Sequence, residues 1–282
     1  MFAEFKHALR RSKGQIFGWG IALFLLVVLL VSLYDSIAAE QEALQELLSV
    51  YPSEVTVFMG DMTSFGTPEG WVSIEFFSYM PVILGILGVT VGSGMLLNDE
   101  ESGILDLVMA HPVNRTSLFM GRLLAFITTI VSILVIAWTG FIISMTWSTM
   151  DIGWGEMWLP LLSLLAVLLL FGALALFLSM ILPSRRMASM ITGLLLVSSF
   201  FITGLAELND KLETAAKLSP LNYYQAQEAF NDFNGTWFAG LLASALIFTL
   251  LAWWRFERRD LRVAGEGGWR LGKLAEILKT KK

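Results

Sequence analysis

Long apolar runs alternate with short polar segments along this chain. Six runs approach or exceed the roughly 20 residues a helix needs to cross the hydrocarbon core of a bilayer. They are Ile16–Tyr34, Phe76–Leu97, Leu118–Trp147, Leu159–Leu182, Met187–Leu205 and Trp237–Trp254. The fourth and fifth are joined only by Pro183-Ser184-Arg185-Arg186. Proline stops a helix and two adjacent arginines are excluded from lipid, so a tight turn is predicted there. The fold class that follows is all-α: a polytopic membrane protein with six transmembrane helices.

The polar remainder divides the chain into three parts. Residues 1–15 place Phe2, Phe5 and Leu9 on one helical face and Glu4, Lys6, Arg10 and Arg11 on the other. This pattern predicts an interfacial helix, with its cations toward anionic headgroups. Residues 16–254 form the six-helix membrane domain, and residues 255–282 a basic amphipathic tail. The first apolar run is longer than a signal-peptide core and lacks a strong cleavage site behind it, so a retained helix is expected. The loops 35–70 and 206–236 are too short to hold a separate core. Both contain amphipathic pieces suited to an interface: Ile37, Leu44, Leu47 and Leu48 in the first, and Leu208, Leu212 and Ala216 in the second.

Charge decides the orientation. With the N-terminus in the cytoplasm, 17 of the 19 Lys and Arg residues fall on cytoplasmic segments, and only Lys211 and Lys217 fall outside. The loop from Asp35 to Gly70 has seven acidic residues and no basic one. Basic residues favour the cytoplasmic side, so both termini are expected there.

Composition narrows the chemistry. Apolar residues make up 56% of the 282 and charged ones 15%, with a mean hydropathy of +0.68, which suits a chain that meets lipid. There is no cysteine, which removes disulfides, thiolate catalysis and thiolate metal sites. His7 and His111 are too few and too far apart in sequence for an evident metal site, so none is expected. Gly267-Gly268-Trp269-Arg270-Leu271-Gly272-Lys273 has the spacing of a phosphate-binding loop. Leu274 stands where Ser or Thr would hold magnesium, however, and no apolar strand precedes it. It reads instead as a glycine link into a tail helix bearing Leu271, Leu274 and Leu278. No catalytic cluster of His, Asp and Ser can be assembled, and nothing points to nucleic acid.

Within the apolar runs charge is almost absent. Glu75 and Arg122 lie near run ends and are expected to snorkel to an interface. Ion-coupled carriers usually place ionisable groups at mid-membrane, and none is visible here. Pro81 can kink the second helix, while Gly85, Gly88 and Gly92 suit close helix packing.

The segment after the second run is the most informative. Asn98-Asp99-Glu100-Glu101 ends the helix and Gly103 permits a change of direction. Ile104, Leu105, Leu107 and Val108 give a short apolar face beside Asp106, and Pro112 ends it. Such an element fits a groove on another protein. An ordinary membrane-surface loop has the same pattern.

Three motifs in order carry a family resemblance. The first is Glu101-Ser102-Gly103-Ile104-Leu105-Asp106-Leu107, followed by Pro112-Val113-Asn114-Arg115 and Gly121-Arg122. The second is Leu218-Ser219-Pro220-Leu221, and the third is Phe256-Glu257-Arg258-Arg259-Asp260-Leu261. Together with the six-helix layout, they resemble the permease subunits of type-two ABC transporters.

The resemblance implies an exporter permease that pairs with a second copy or a related permease and docks separate ATPase subunits. ATP and magnesium would sit on those subunits and no cofactor on this chain. Glu100, Glu101, Gly103, Leu105, Asp106, Pro112 and Arg115 would form the ATPase-coupling loop, with the acids meeting basic residues of the ATPase. Ser198, Ser199, Phe200, Phe201 and Thr203 on the fifth helix would face the substrate path. A weakly charged path suits an apolar or amphipathic substrate. The resemblance also implies a prokaryotic plasma membrane. An ATP-independent transporter and a membrane scaffold are the alternatives.

Overall fold

The computed structural model describes residues 1–38, 64, 66–103, 114–206 and 208–259. The amphipathic run beyond Ala38, the residues Leu105, Asp106, His111 and Pro112, and the glycine-rich link with its tail helix lie outside them.

Among the described residues no strand occurs. Helix α1 (Phe2–Arg11) and helix α2 (Lys13–Ala38) meet at Ser12. A short α3 (Pro68–Val72) follows, started by the Thr67 hydroxyl, which accepts from the Gly70 N–H at 3.1 Å. It runs on into a wider π turn over Ser73–Phe77, closed by the Ser78 N–H donating to the Ser73 carbonyl at 2.8 Å.

Helix α4 (Met80–Glu101) comes next, then α5 (Arg115–Met145), α6 (Trp158–Ile181) and α7 (Arg185–Ala206). The return contains α8 (Glu213–Leu218), a 3-10 turn over Pro220–Tyr223 and α9 (Glu228–Asn231). Helix α10 (Gly235–Arg258) closes the described chain, its N-terminus capped by the Asn234 side chain. Six of these helices, α2, α4, α5, α6, α7 and α10, are long and apolar enough to cross a membrane. The chain is an all-α, multi-pass membrane protein.

Packing ranks these six. In their most apolar windows, two thirds of the residues of α4 and α6 are buried, against 22% for α7 and 17% for α10. Helices α4 and α6 therefore form the centre. They approach closely because glycines face each other: a Cβ on Gly92 would sit 2.2 Å from the Gly172 carbonyl oxygen. On α2, the large side chains Phe17, Ile21, Leu25, Leu29 and Leu33 recur every fourth residue and stay exposed. Leu23, Val27, Leu30 and Val31 on the other side are buried. In a bilayer the uncovered stripe meets lipid, which is as apolar as leucine.

One local expectation needs correction. Pro81 does not kink the second membrane helix. It stands in the first turn of α4, where its missing N–H costs no hydrogen bond. The irregularity lies just before it, in the π turn.

The helices alternate in direction, so their ends gather at two faces. One face collects α1, the end of α4, the start of α5, the α6–α7 turn and the end of α10. It is called the basic end below, for its arginines. The opposite end holds Trp71, Phe76, Phe77, Phe141 and Phe230, with Phe76 and Phe141 edge-to-face at 5.2 Å.

Candidate functional site

The basic end is organised around the last turn of α4. Successive helical residues point about 100° apart, so four in a row face all round the axis. Asn98, Asp99, Glu100 and Glu101 do so, and between them they engage four neighbouring elements, Asn98 and Glu101 sharing Arg185. The Asn98 side-chain oxygen accepts from the Arg185 guanidinium of α7. Asp99 accepts from Arg122 of α5 at 2.6 Å and from Arg11 of α1 at 2.7 Å. Glu100 pairs with Arg259, just beyond α10. Glu101 accepts from the backbone N–H of Arg185 at 2.9 Å, at the start of α7.

Burial makes two of these pairs consequential. The side chains of Asp99 and Arg122 are 4% and 6% exposed, and those of Glu100 and Arg259 are 5% and 9% exposed. A buried charge without its partner costs several kcal/mol, so each member depends on the other. Arg122 also donates to the Met95 carbonyl at 3.0 Å. It therefore does not snorkel, as its place near a run end suggests. A carboxylate one helix away makes its burial tolerable.

The same end ties α10 to α5 and α6. Arg115 donates to the carbonyls of Arg259 at 2.7 Å, Phe256 at 3.2 Å and Glu257 at 3.4 Å. The Thr116 hydroxyl donates to Glu257 at 2.6 Å. Arg259 in turn reaches the carbonyls of Met180 and Ser179 at the end of α6, at 3.3 and 3.5 Å. The last carbonyls of a helix lack intrahelical donors and carry partial negative charge, so guanidinium groups suit them. Phe256 is buried against Phe119, with ring centroids 6.1 Å apart.

Two glycines shape the site. Gly103 takes φ 72, the left-handed conformation that ends α4 after Ser102. Gly121 lies under α1: a Cβ there would come within 2.8 Å of the Met1 carbonyl oxygen and 2.9 Å of Glu4 Cβ. The Gly121-Arg122 pair thus does two jobs, seating α1 on α5 and supplying the partner of Asp99.

The sequence-predicted coupling residues fall out unevenly. Glu100, Glu101, Gly103 and Arg115 converge here. Glu100 is directed into the protein, where Arg259 takes it up, and Glu101 is exposed. Leu105, Asp106 and Pro112 lie outside the described residues. Sequence reasoning missed Arg11, Asp99, Arg185 and Arg259 as members. A signal existed, since Arg122 within an apolar run calls for a buried acid nearby.

The substrate-path residues sit elsewhere, toward the far end of α7. The Ser199 carbonyl accepts from the Ser219 hydroxyl at 3.3 Å, and the Thr203 and Ser219 hydroxyls are 2.9 Å apart. The Ser219-Pro220 element therefore clasps α7. Phe200 and Phe201 stand edge-to-face at 5.8 Å, with Phe201 49% exposed. Ser198 is half-buried.

A cavity of about 400 Å³ lies at the basic end between α1, α2, α4, α5 and α7. Its polar lining includes His7, Arg11, Asn98, Asp99, Arg122 and Arg185. None of the five substrate-path residues borders it.

Comparison with known protein families gives one match over almost the whole chain. Residues 3–261 fit the family described as ABC-2 family transporter protein. No curated protein matches the chain.

Proposed function

This chain belongs to the ABC-2 family of transporter proteins, and from that premise we propose that it is the membrane-spanning half of an exporter powered by separate ATPase subunits. The basic end faces the cytoplasm of a prokaryotic cell and receives the ATPase. Two such chains, or this one and a related permease, stand side by side in the plasma membrane. ATP and magnesium stay on the ATPase subunits. The substrate is apolar or amphipathic.

The observation that supports this reading is the convergence at the end of α4. Motif segments far apart in sequence, around 98–103, 114–122 and 256–259, meet there through Glu100, Arg115 and Arg259. A push on the turn after Glu101 would be felt at once by α1, α5, α7 and α10, because each is tied to one of four successive residues. A single docking element can in this way address most of the bundle. Exposed Glu101 and the turn at Gly103 are the parts left for the ATPase to touch.

The test is co-expression with a candidate ABC ATPase subunit from the same organism, followed by gentle detergent extraction and an ATPase assay of the purified complex. The wild-type chain is expected to bring the ATPase down with it. Glu101→Arg and Gly103→Pro are expected to dissociate the complex or uncouple it. Failure to recover any ATPase with the intact chain, or two silent substitutions, would overturn the reading.

A further inference from the structure

We propose that the cavity at the basic end is a binding site for a phosphate group, supplied by the headgroup of an anionic lipid in the adjoining leaflet. The inference rests on the chemistry of the lining and on where the cavity sits, and it does not depend on the transport reading.

Three guanidinium groups from three different elements line the cavity: Arg11 of α1, Arg122 of α5 and Arg185 of α7. The one carboxylate in the lining is Asp99, and both of its oxygens are occupied, one by Arg11 and one by Arg122. Glu4 is the other acid close enough for Arg122 to feel. A guanidinium carries five N–H donors. Among the described residues Arg11 uses one such group on Asp99. Arg122 spends two, on Asp99 and Met95, and Arg185 two, on Asn98 and Thr90. Donors therefore remain on all three, in the fork geometry that phosphate oxygens accept. His7 and Gln15 also line the space, and neither side chain makes a hydrogen bond or ion pair to a described residue.

Position selects the source. The wall is formed by the start of α2 and by the amphipathic α1, at whose N-terminus the residues Met1 and Phe2 are 59% and 74% exposed, an apolar edge suited to dipping into lipid. Basic pockets between membrane helices at headgroup level are the usual seats of anionic lipid headgroups. A volume of about 400 Å³ admits a glycerophosphate group and not merely a bare ion.

The full-length protein, purified in neutral detergent, is examined by native mass spectrometry with phosphatidylglycerol or phosphatidylcholine. A parallel calorimetric titration uses inorganic phosphate. Phosphatidylglycerol is expected to bind about tenfold better than phosphatidylcholine, which carries the same phosphate but adds a choline cation that the three guanidinium groups repel. Arg11→Gln and Arg185→Gln should each lose about that factor, and Lys211→Gln, exposed at the opposite end, should lose little. Gln15→Leu removes no ion pair, so it reports on the cavity even if the arginine variants fold poorly; a several-fold loss is expected. Binding of inorganic phosphate that is abolished by the same variants, without preference for the charged lipid, would keep the phosphate site and assign it to a soluble ligand. If neither probe binds, if the lining variants bind like wild type, or if Lys211→Gln weakens binding as much as Arg11→Gln, the site is refuted.

Discussion

The two ends of the bundle are held by different chemistry. At the basic end the helices are joined by guanidinium groups on carboxylates and carbonyls, with Asp99, Glu100, Arg115, Arg122 and Arg259 as the principal members. At the opposite end the links are mostly neutral and run to the backbone. The Trp71 indole donates to the Leu30 carbonyl at 3.1 Å, Tyr224 donates to the Phe77 carbonyl at 3.0 Å, and Gln225 brackets Asn234 with bonds of 2.6 and 3.1 Å. Asp35, which accepts from Ser148 and Thr149, is a charged exception. Neutral bonds fail one at a time, and each costs little. Buried ion pairs fail as units, because the surviving partner is left charged and dry. The basic end is thus the part where one local event is transmitted to several helices.

The severest expected loss is at the basic end. Asp99→Leu alone should lower unfolding stability by about 3–5 kcal/mol, since it strands the buried Arg122, whereas Arg122→Met should cost less because Asp99 keeps its pair with Arg11. The double variant should recover much of that loss, because replacing both members leaves no unpaired charge between them. Denaturant unfolding in detergent, run as a double-mutant cycle, measures it. Equal losses for single and double variants would show that the pair is not the unit of stability.

Next comes the centre of the bundle. Gly92→Ala should cost about 3 kcal/mol, because the added methyl group meets backbone at Gly172 and neither helix can yield without moving the other. The same unfolding assay reads it.

At the opposite end single changes should be milder. Asn234→Ala removes the acceptor for the N–H groups of Thr236 and Trp237 and should cost about 1 kcal/mol. Tyr224→Phe should cost about 1 kcal/mol for the lost bond to the Phe77 carbonyl. Desolvation, with the charge of Glu228 adding to it, pushes the Tyr224 hydroxyl well above its usual pKa of 10.0. The raised value means its contribution is whole below pH 10 and declines as the unfolded chain ionises above it. The wild type should therefore lose stability above pH 10 faster than Tyr224→Phe does, as thermal melts across that range would show.

The smallest effect belongs to Glu213→Gln. Its pair with Lys217 at 2.7 Å is fully solvated, and the hydrogen bond from that lysine lowers the carboxyl pKa only while both are in place. No resolvable change in melting temperature is expected.

The contrast between the ends also explains what could be read from the sequence. The six membrane helices were legible because apolar runs of that length have few other uses. Their ends were less so: α2 continues past Tyr34 to Ala38 and α4 past Leu97 to Glu101, since helical hydrogen bonding persists where lipid stops. Gly103 and Arg115 were visible through the motifs that contain them. The partners of Asp99 and Glu100 were not, because Arg11 and Arg259 lie 88 and 159 residues away along the chain. Only the stacking of helices brings them together. Ser199 and Thr203 show the reverse problem. The resemblance alone names them, and their bonds to Ser219 depend on a return of the chain that no local pattern announces.

The most direct measurement is a charge exchange between Glu100 and Arg259 in the proposed complex with an ATPase, read as ATP hydrolysis in reconstituted vesicles. Glu100→Arg and Arg259→Glu should each lose most of the permease-dependent stimulation, and the double exchange should restore a substantial part. Single exchanges that stimulate like the wild type, or a stably folded double exchange no better than either single, would contradict the claim that the basic end carries the coupling.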